Sequence, residues 1–155
     1  MWDRLRKQLA VEREELHRLL DIYRPLIVQS NETPPNPIEL SALAAMLHAF
    51  YNGVENIFKR IAAEIDGRMP GGDFWHREML ETMSKPNEAR PAAISQALNE
   101  HLREYLEFRH VFRHAYTFEL RWEKMRSLAL GCQDTLVSFE AELDAFLSGR
   151  PGSPS

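Results

Sequence analysis

Apolar residues recur along the chain at intervals of three and four, the repeat of one helix face, and no stretch alternates with the two-residue repeat of a half-buried strand. All nine prolines read as lying at or beyond the ends of these periodic stretches, which divides the chain into about five helices. The first, about 2–24, carries Trp2, Leu5, Leu9, Leu16, Leu19, Leu20 and Tyr23 on one stripe and is expected to stop at Pro25. A loop rich in Asn and Pro, 30–37, follows. Asn36 as N-cap, Pro37 at the first helical position and Glu39 three residues after the cap open the second and longest helix, which closes at Gly67. Its apolar positions, among them Leu43, Leu47, Phe50, Val54, Ile57, Phe58 and Ile61, with Met46 and Tyr51 off the main stripe, cover more than one face, as a central helix requires. A polar row, His48, Asn52, Glu55, Asn56 and Lys59, interrupts them. After the turn 67–72, Asp73 is expected to cap a short third helix ending near Met83, and a fourth helix starts near Ser95. A fifth spans about 122–147. The expectation is an all-α antiparallel bundle forming a single domain, 1–148, with a disordered tail, 149–155.

The fourth helix has two sectors when its residues are spaced at about 100°. Ile94, Leu98, Tyr105, Phe108 and Phe112 suit the chain's own core, whereas Leu102, Leu106, Arg109, His110 and Arg113 form a neighbouring sector, apolar at its start and cationic at its end. A second copy of the chain is the natural cover for that sector, which predicts a homodimer. Arg109 and His114 would diverge by roughly 140° on a continuous helix, so the helix is expected to end or unwind between Val111 and Ala115.

Charge narrows the function classes. The 155 residues carry a formal net charge of −4, so there is no global basic field for non-specific nucleic-acid binding. Positive charge is local: residues 101–126 hold six Arg or Lys against four Glu, with three of the six histidines. One cysteine, Cys132, cannot make an internal disulfide, and no apolar run approaches a membrane-spanning length, which makes the cytoplasm the expected location.

The densest chemistry is the run Arg109-His110-Val111-Phe112-Arg113-His114-Ala115-Tyr116. A guanidinium offers a fixed fork of donors to phosphate oxygens, and an imidazole takes or gives a proton near neutrality. Together they fit RNA cleavage without a metal. The plainer reading is a cationic helix end, where Arg and His interact with the last carbonyls. Arg109 and His114 would both close a helix end, so truncating either is expected to leave stability nearly unchanged. Glu14/His17 and Glu107/His110 have the Glu-x-x-His spacing of di-iron bundles, but Glu14 and Glu107 lie opposite the apolar stripes of their helices, so no metal and no cofactor is expected. His48 and His76 read as structural. Asn52, Glu55 and Asn56 fit equally a solvated face, a dimer contact or support for the motif.

With these residues in view, the chain resembles HepT-type members of the HEPN superfamily, helical ribonucleases that act as toxins of toxin–antitoxin pairs. Arg109, His114 and Tyr116 match the signature Arg-x-x-x-x-His-x-Tyr, and 50–60 and 114–120 are also similar to a HepT-like branch. The similarity reads as extending from the first helix to Leu147. Most members carry Asn directly after the arginine, where this chain has His110. The resemblance implies a homodimer with two motifs lining one cleft and metal-independent endoribonuclease activity. Arg109 would hold the scissile phosphate and His114 would act as general base or acid, with His110, Arg113, Asn52, Glu55 and Asn56 in binding or supporting roles. It also implies a partner, a nucleotidyltransferase antitoxin of the MntA kind that adenylylates the motif tyrosine, here Tyr116. The alternative is a non-catalytic HEPN-like bundle serving as the binding subunit of a nucleotidyltransferase.

Overall fold

The computed structural model describes residues 1–148, excluding the side chain of Thr117, and the expected tail 149–155 lies outside the described residues. Six α-helices and no strand occur among the described residues: α1 (Trp2–Glu32), α2 (Pro37–Ile61), α3 (Trp75–Met83), α4 (Gln96–His114), α5 (Trp122–Leu130) and α6 (Cys132–Leu147). None of these helices is long and apolar enough to cross a membrane.

α2 is the central helix. Asn36 accepts a hydrogen bond from the Glu39 N–H at 2.8 Å while Glu39 accepts from the Asn36 N–H at 3.0 Å, so both N-terminal donors are satisfied reciprocally. After Ile61 the helix relaxes into one π turn, Ala62–Asp66, and stops at Gly67, whose φ of +71° favours glycine. Leu43, Phe50, Tyr51, Ile57 and Phe58 are fully buried on several faces of this helix. Leu5, Leu9, Leu16 and Leu20 of α1 cover one of them, and the two helices approach so closely at Gly53 that a Cβ there would lie 2.5 Å from Leu16 Cδ2. α3, α4 and α5 also pack on α2.

Four expectations are corrected. α1 continues through Pro25 to Glu32, because Leu26 and Ile27 pack against the core and Ser30 is buried beyond the proline. That burial outweighs the backbone hydrogen bond that Pro25 cannot donate. Asp73 does not cap α3: the N-cap is Phe74, with no side-chain cap bond. The expected fifth helix is two helices broken at Gly131, where the Gly131 N–H bonds the Ser127 carbonyl at 3.0 Å and a Cβ would come within 2.8 Å of that oxygen. Finally, Leu102 and Arg109, assigned to a sector awaiting a second subunit, are buried within this chain.

α4 opens on Ser95, whose Oγ accepts from the Leu98 N–H at 3.1 Å and donates to Glu142 of α6 at 2.9 Å. It ends at His114, and Ala115 is extended. A single 3-10 turn, Thr117–Glu119, leads to α5.

Candidate functional site

Turns of about 100° bring His48, Tyr51, Asn52 and Glu55 of α2 onto one face, at spacings of three and four. Arg109 of α4 meets this face. Its Nη1 donates to Asn52 Oδ1 at 2.6 Å and to Glu55 Oε1 at 3.2 Å, and its guanidinium carbon lies 5.2 Å from the centre of the Tyr51 ring. Arg109 is 4% exposed and Glu55 3%, so the ion pair is formed away from water. Burial, and then the Glu55 carboxylate, push the Tyr51 phenol well above its usual value and keep it protonated.

His76 of α3 completes the cluster. Its Nδ1 stands 2.7 Å from Glu55 Oε2 and 2.7 Å from Arg109 Nη2. One ring nitrogen carries either a proton or a lone pair, so it donates to Glu55 or accepts from Arg109, never both. The ring is also held from behind: its centroid is 3.6 Å from that of Trp75, over which Lys59 Nζ lies at 4.9 Å. Sequence reasoning passed over His76 because Glu55 is 21 residues away and the contact is tertiary. The only local signal was its position in the first turn of a helix next to an aromatic residue.

Arg109 and His76 help line a cavity of about 430 Å³ between α3 and α4, together with Arg77, His110 and Arg113. Asp73 and Glu107 are the acidic groups in its wall. Three arginines against two carboxylates leave the wall with a small excess of positive charge.

The remaining sequence candidates are dispersed. His114 is exposed, does not line this cavity, and contacts the exposed His110 with ring centroids 4.7 Å apart. Because α4 runs unbroken through both motif residues, Arg109 turns inward and His114 turns to solvent. The premise behind unchanged stability on truncation, that both residues close a helix end, does not hold for Arg109, which fills a buried position. Asn56 is exposed and lines a different cavity with Lys59 and Arg60. Tyr116 is 71% exposed and stacks on the exposed Phe118, with centroids 5.3 Å apart. His48 packs on Phe112 at 5.4 Å with its buried Nδ1 lacking a hydrogen-bond partner. Burial, and then the charges of Arg109 and Arg113, hold its imidazole below the ordinary value. Glu14 and Glu107 are exposed, and His17 pairs with Glu140 at 2.5 Å instead of with Glu14. Among the described residues no group of three or more His, Cys, Asp or Glu is disposed to hold a metal ion.

Arg90 gives a useful contrast to Arg109. Its side chain is fully buried and all five of its N–H donors are used, on both carboxylate oxygens of Asp66 and on the carbonyls of Thr82, Lys85 and Pro91. That arginine ties the π turn to the end of α3 and has no donor left for a ligand. Arg109 instead shares Nη2 with a histidine that has a competing acceptor, beside an open cavity.

A family profile described as HepT-like protein matches residues 42–149. The chain belongs to the HepT-like family. Within this HepT-like chain the match holds the signature arginine, histidine and tyrosine and all of α3 to α6, but leaves α1 outside it, which shortens the similarity expected from the first helix onward. No match was found among curated proteins or among solved structures.

Proposed function

We propose that this HepT-like chain is a metal-independent endoribonuclease that acts as a homodimer and serves as the toxin of a toxin–antitoxin pair. One observation carries the reading: the signature arginine, Arg109, stands in a cavity of about 430 Å³ that is also lined by Arg77 and Arg113 and by the imidazoles of His76 and His110. A phosphodiester fits that field, and a guanidinium fixed by a buried carboxylate stabilises the charge that develops on its oxygens. His114 moves a proton in attack by the 2′-hydroxyl, leaving a cyclic phosphate and a 5′-hydroxyl. In the dimer, two copies of the motif share one cleft, and this is how an exposed His114 reaches a phosphate bound at Arg109. The partner is a nucleotidyltransferase antitoxin, and the exposed phenol of Tyr116 is its point of adenylylation. The test is incubation of purified protein with RNA in chelator, with end-group analysis of the products. Cyclic phosphate ends that form far more slowly in His114→Ala support the reading, and intact RNA at all concentrations of the wild-type protein overturns it.

A specific observation favours a second reading, a non-catalytic binding subunit of a nucleotidyltransferase. Both terminal nitrogens of Arg109 are already engaged by Asn52, Glu55 and His76. On that reading purified protein leaves RNA intact in chelator yet forms a stable complex with its partner.

A further inference from the structure

We infer that His76 is a second proton-transfer group, acting from the same cavity as Arg109. The inference rests on the ribonuclease reading and adds to it a residue outside the signature. Cleavage by a 2′-hydroxyl needs two proton movements. One group takes the proton from the 2′-oxygen as that oxygen bonds to phosphorus, and another gives a proton to the 5′-oxygen as its bond to phosphorus breaks. Each chain's signature supplies one imidazole, His114, which does not line the cavity that holds Arg109, so a proton-transfer group built into that cavity comes from outside the signature.

The other histidines near the motif do not fit the second role. His48 lies against Phe112 and is not part of the cavity wall, and His110 is exposed with no carboxylate bonded to it. His76 lines the cavity, keeps 27% of its side chain exposed, and has a buried carboxylate 2.7 Å from Nδ1. A carboxylate on one ring nitrogen orients an imidazole and selects the other nitrogen for chemistry. Here that selection is contested, because Arg109 Nη2 stands equally close to Nδ1. A phosphate entering the cavity draws Nη2 to its own oxygens. Nδ1–H is then free to donate to Glu55, and Nε2 becomes the working nitrogen. Substrate binding thus fixes the tautomer that the reaction uses. The charged and titratable groups around the ring and its cavity are Glu55 and Lys59 of α2, Glu107, Arg109, His110 and Arg113 of α4, and Asp73 and Arg77 on either side of α3's start.

The experiment is single-turnover cleavage of a short single-stranded RNA in chelator across pH, using the full chain. The wild type is expected to give two limbs. His76→Ala and His114→Ala should each lose about 10²–10⁴-fold and each flatten a different limb. Added imidazole should restore part of the His76→Ala rate. His76→Asn retains a donor for Glu55 and serves if the alanine variant does not fold; it should show the same flattened limb. A His76→Asn enzyme with both limbs, or a His76→Ala enzyme that loses rate without losing a limb and is not rescued by imidazole, overturns the inference and leaves the ribonuclease reading standing. A wild type that does not cleave overturns that reading, and the inference with it.

Discussion

Glu55 and Arg109 form an ion pair at 3.2 Å in which neither side chain is more than 5% exposed. Removing either partner leaves an uncompensated charge in a poorly hydrated site. Glu55→Gln and Arg109→Met should each lower stability by about 3–5 kcal/mol, roughly 10 °C in melting temperature. The double variant should fall by less than the sum, because the second change removes the orphaned charge left by the first. Thermal denaturation of the four proteins checks this, and strictly additive losses would contradict the pairing.

His114 should behave oppositely. It is exposed at the last residue of α4, so His114→Ala should change stability by no more than about 0.5 kcal/mol while slowing RNA cleavage by about 10²–10⁴-fold. The two signature residues thereby separate in one experiment: stability and cleavage fall together at Arg109, and cleavage alone falls at His114. A His114→Ala protein that melts far below the parent would assign that residue to the fold.

The His48 imidazole is held below its ordinary value of 6.5 in the folded chain, so the unfolded chain binds the proton more readily. Its contribution to stability is present above pH 6.5 and is lost as pH falls through the folded value. Melting temperature measured between neutral and mildly acidic pH should therefore drop more steeply for the wild type than for His48→Gln. Equal slopes would show that His48 titrates alike in both states.

Tyr116 is exposed and its ring rests on Phe118, so its hydroxyl is accessible to a modifying enzyme. Tyr116→Phe should retain cleavage and escape neutralisation when the proposed nucleotidyltransferase partner and ATP are added. Mass spectrometry should find an adenylyl group on the wild type and none on the variant. Neutralisation of the variant, or modification elsewhere in the chain, would rule out this tyrosine as the control point.

What the sequence made legible was local. The reciprocal cap at Asn36 and Glu39 and the cap at Ser95 depend on residues within one turn, so pattern alone located them. Pro25 misled because its cost is local while the burial that carries α1 past it belongs to the whole fold. Gly131 misled in the other direction: tolerated in many helices, here it stands at the break between α5 and α6, where a side chain would meet the Ser127 carbonyl. On α4 the wheel grouped Leu102 with Arg109 and assigned their cover to a second copy of the chain, whereas both are buried within this one, Arg109 against Asn52 and Glu55 of α2 and His76 of α3. The signature named Arg109, His114 and Tyr116. It could not name His76, which reaches the site only through the packing of α3 on α2.

The family match begins at residue 42, yet Leu5, Leu9, Leu16 and Leu20 of α1 are buried and Gly53 of α2 is shaped to receive Leu16. The unit that folds is thus longer than the stretch by which its relatives are recognised. A fragment cut at the edge of the match would present one flank of α2 as bare apolar surface, a patch of the kind that drives non-specific association.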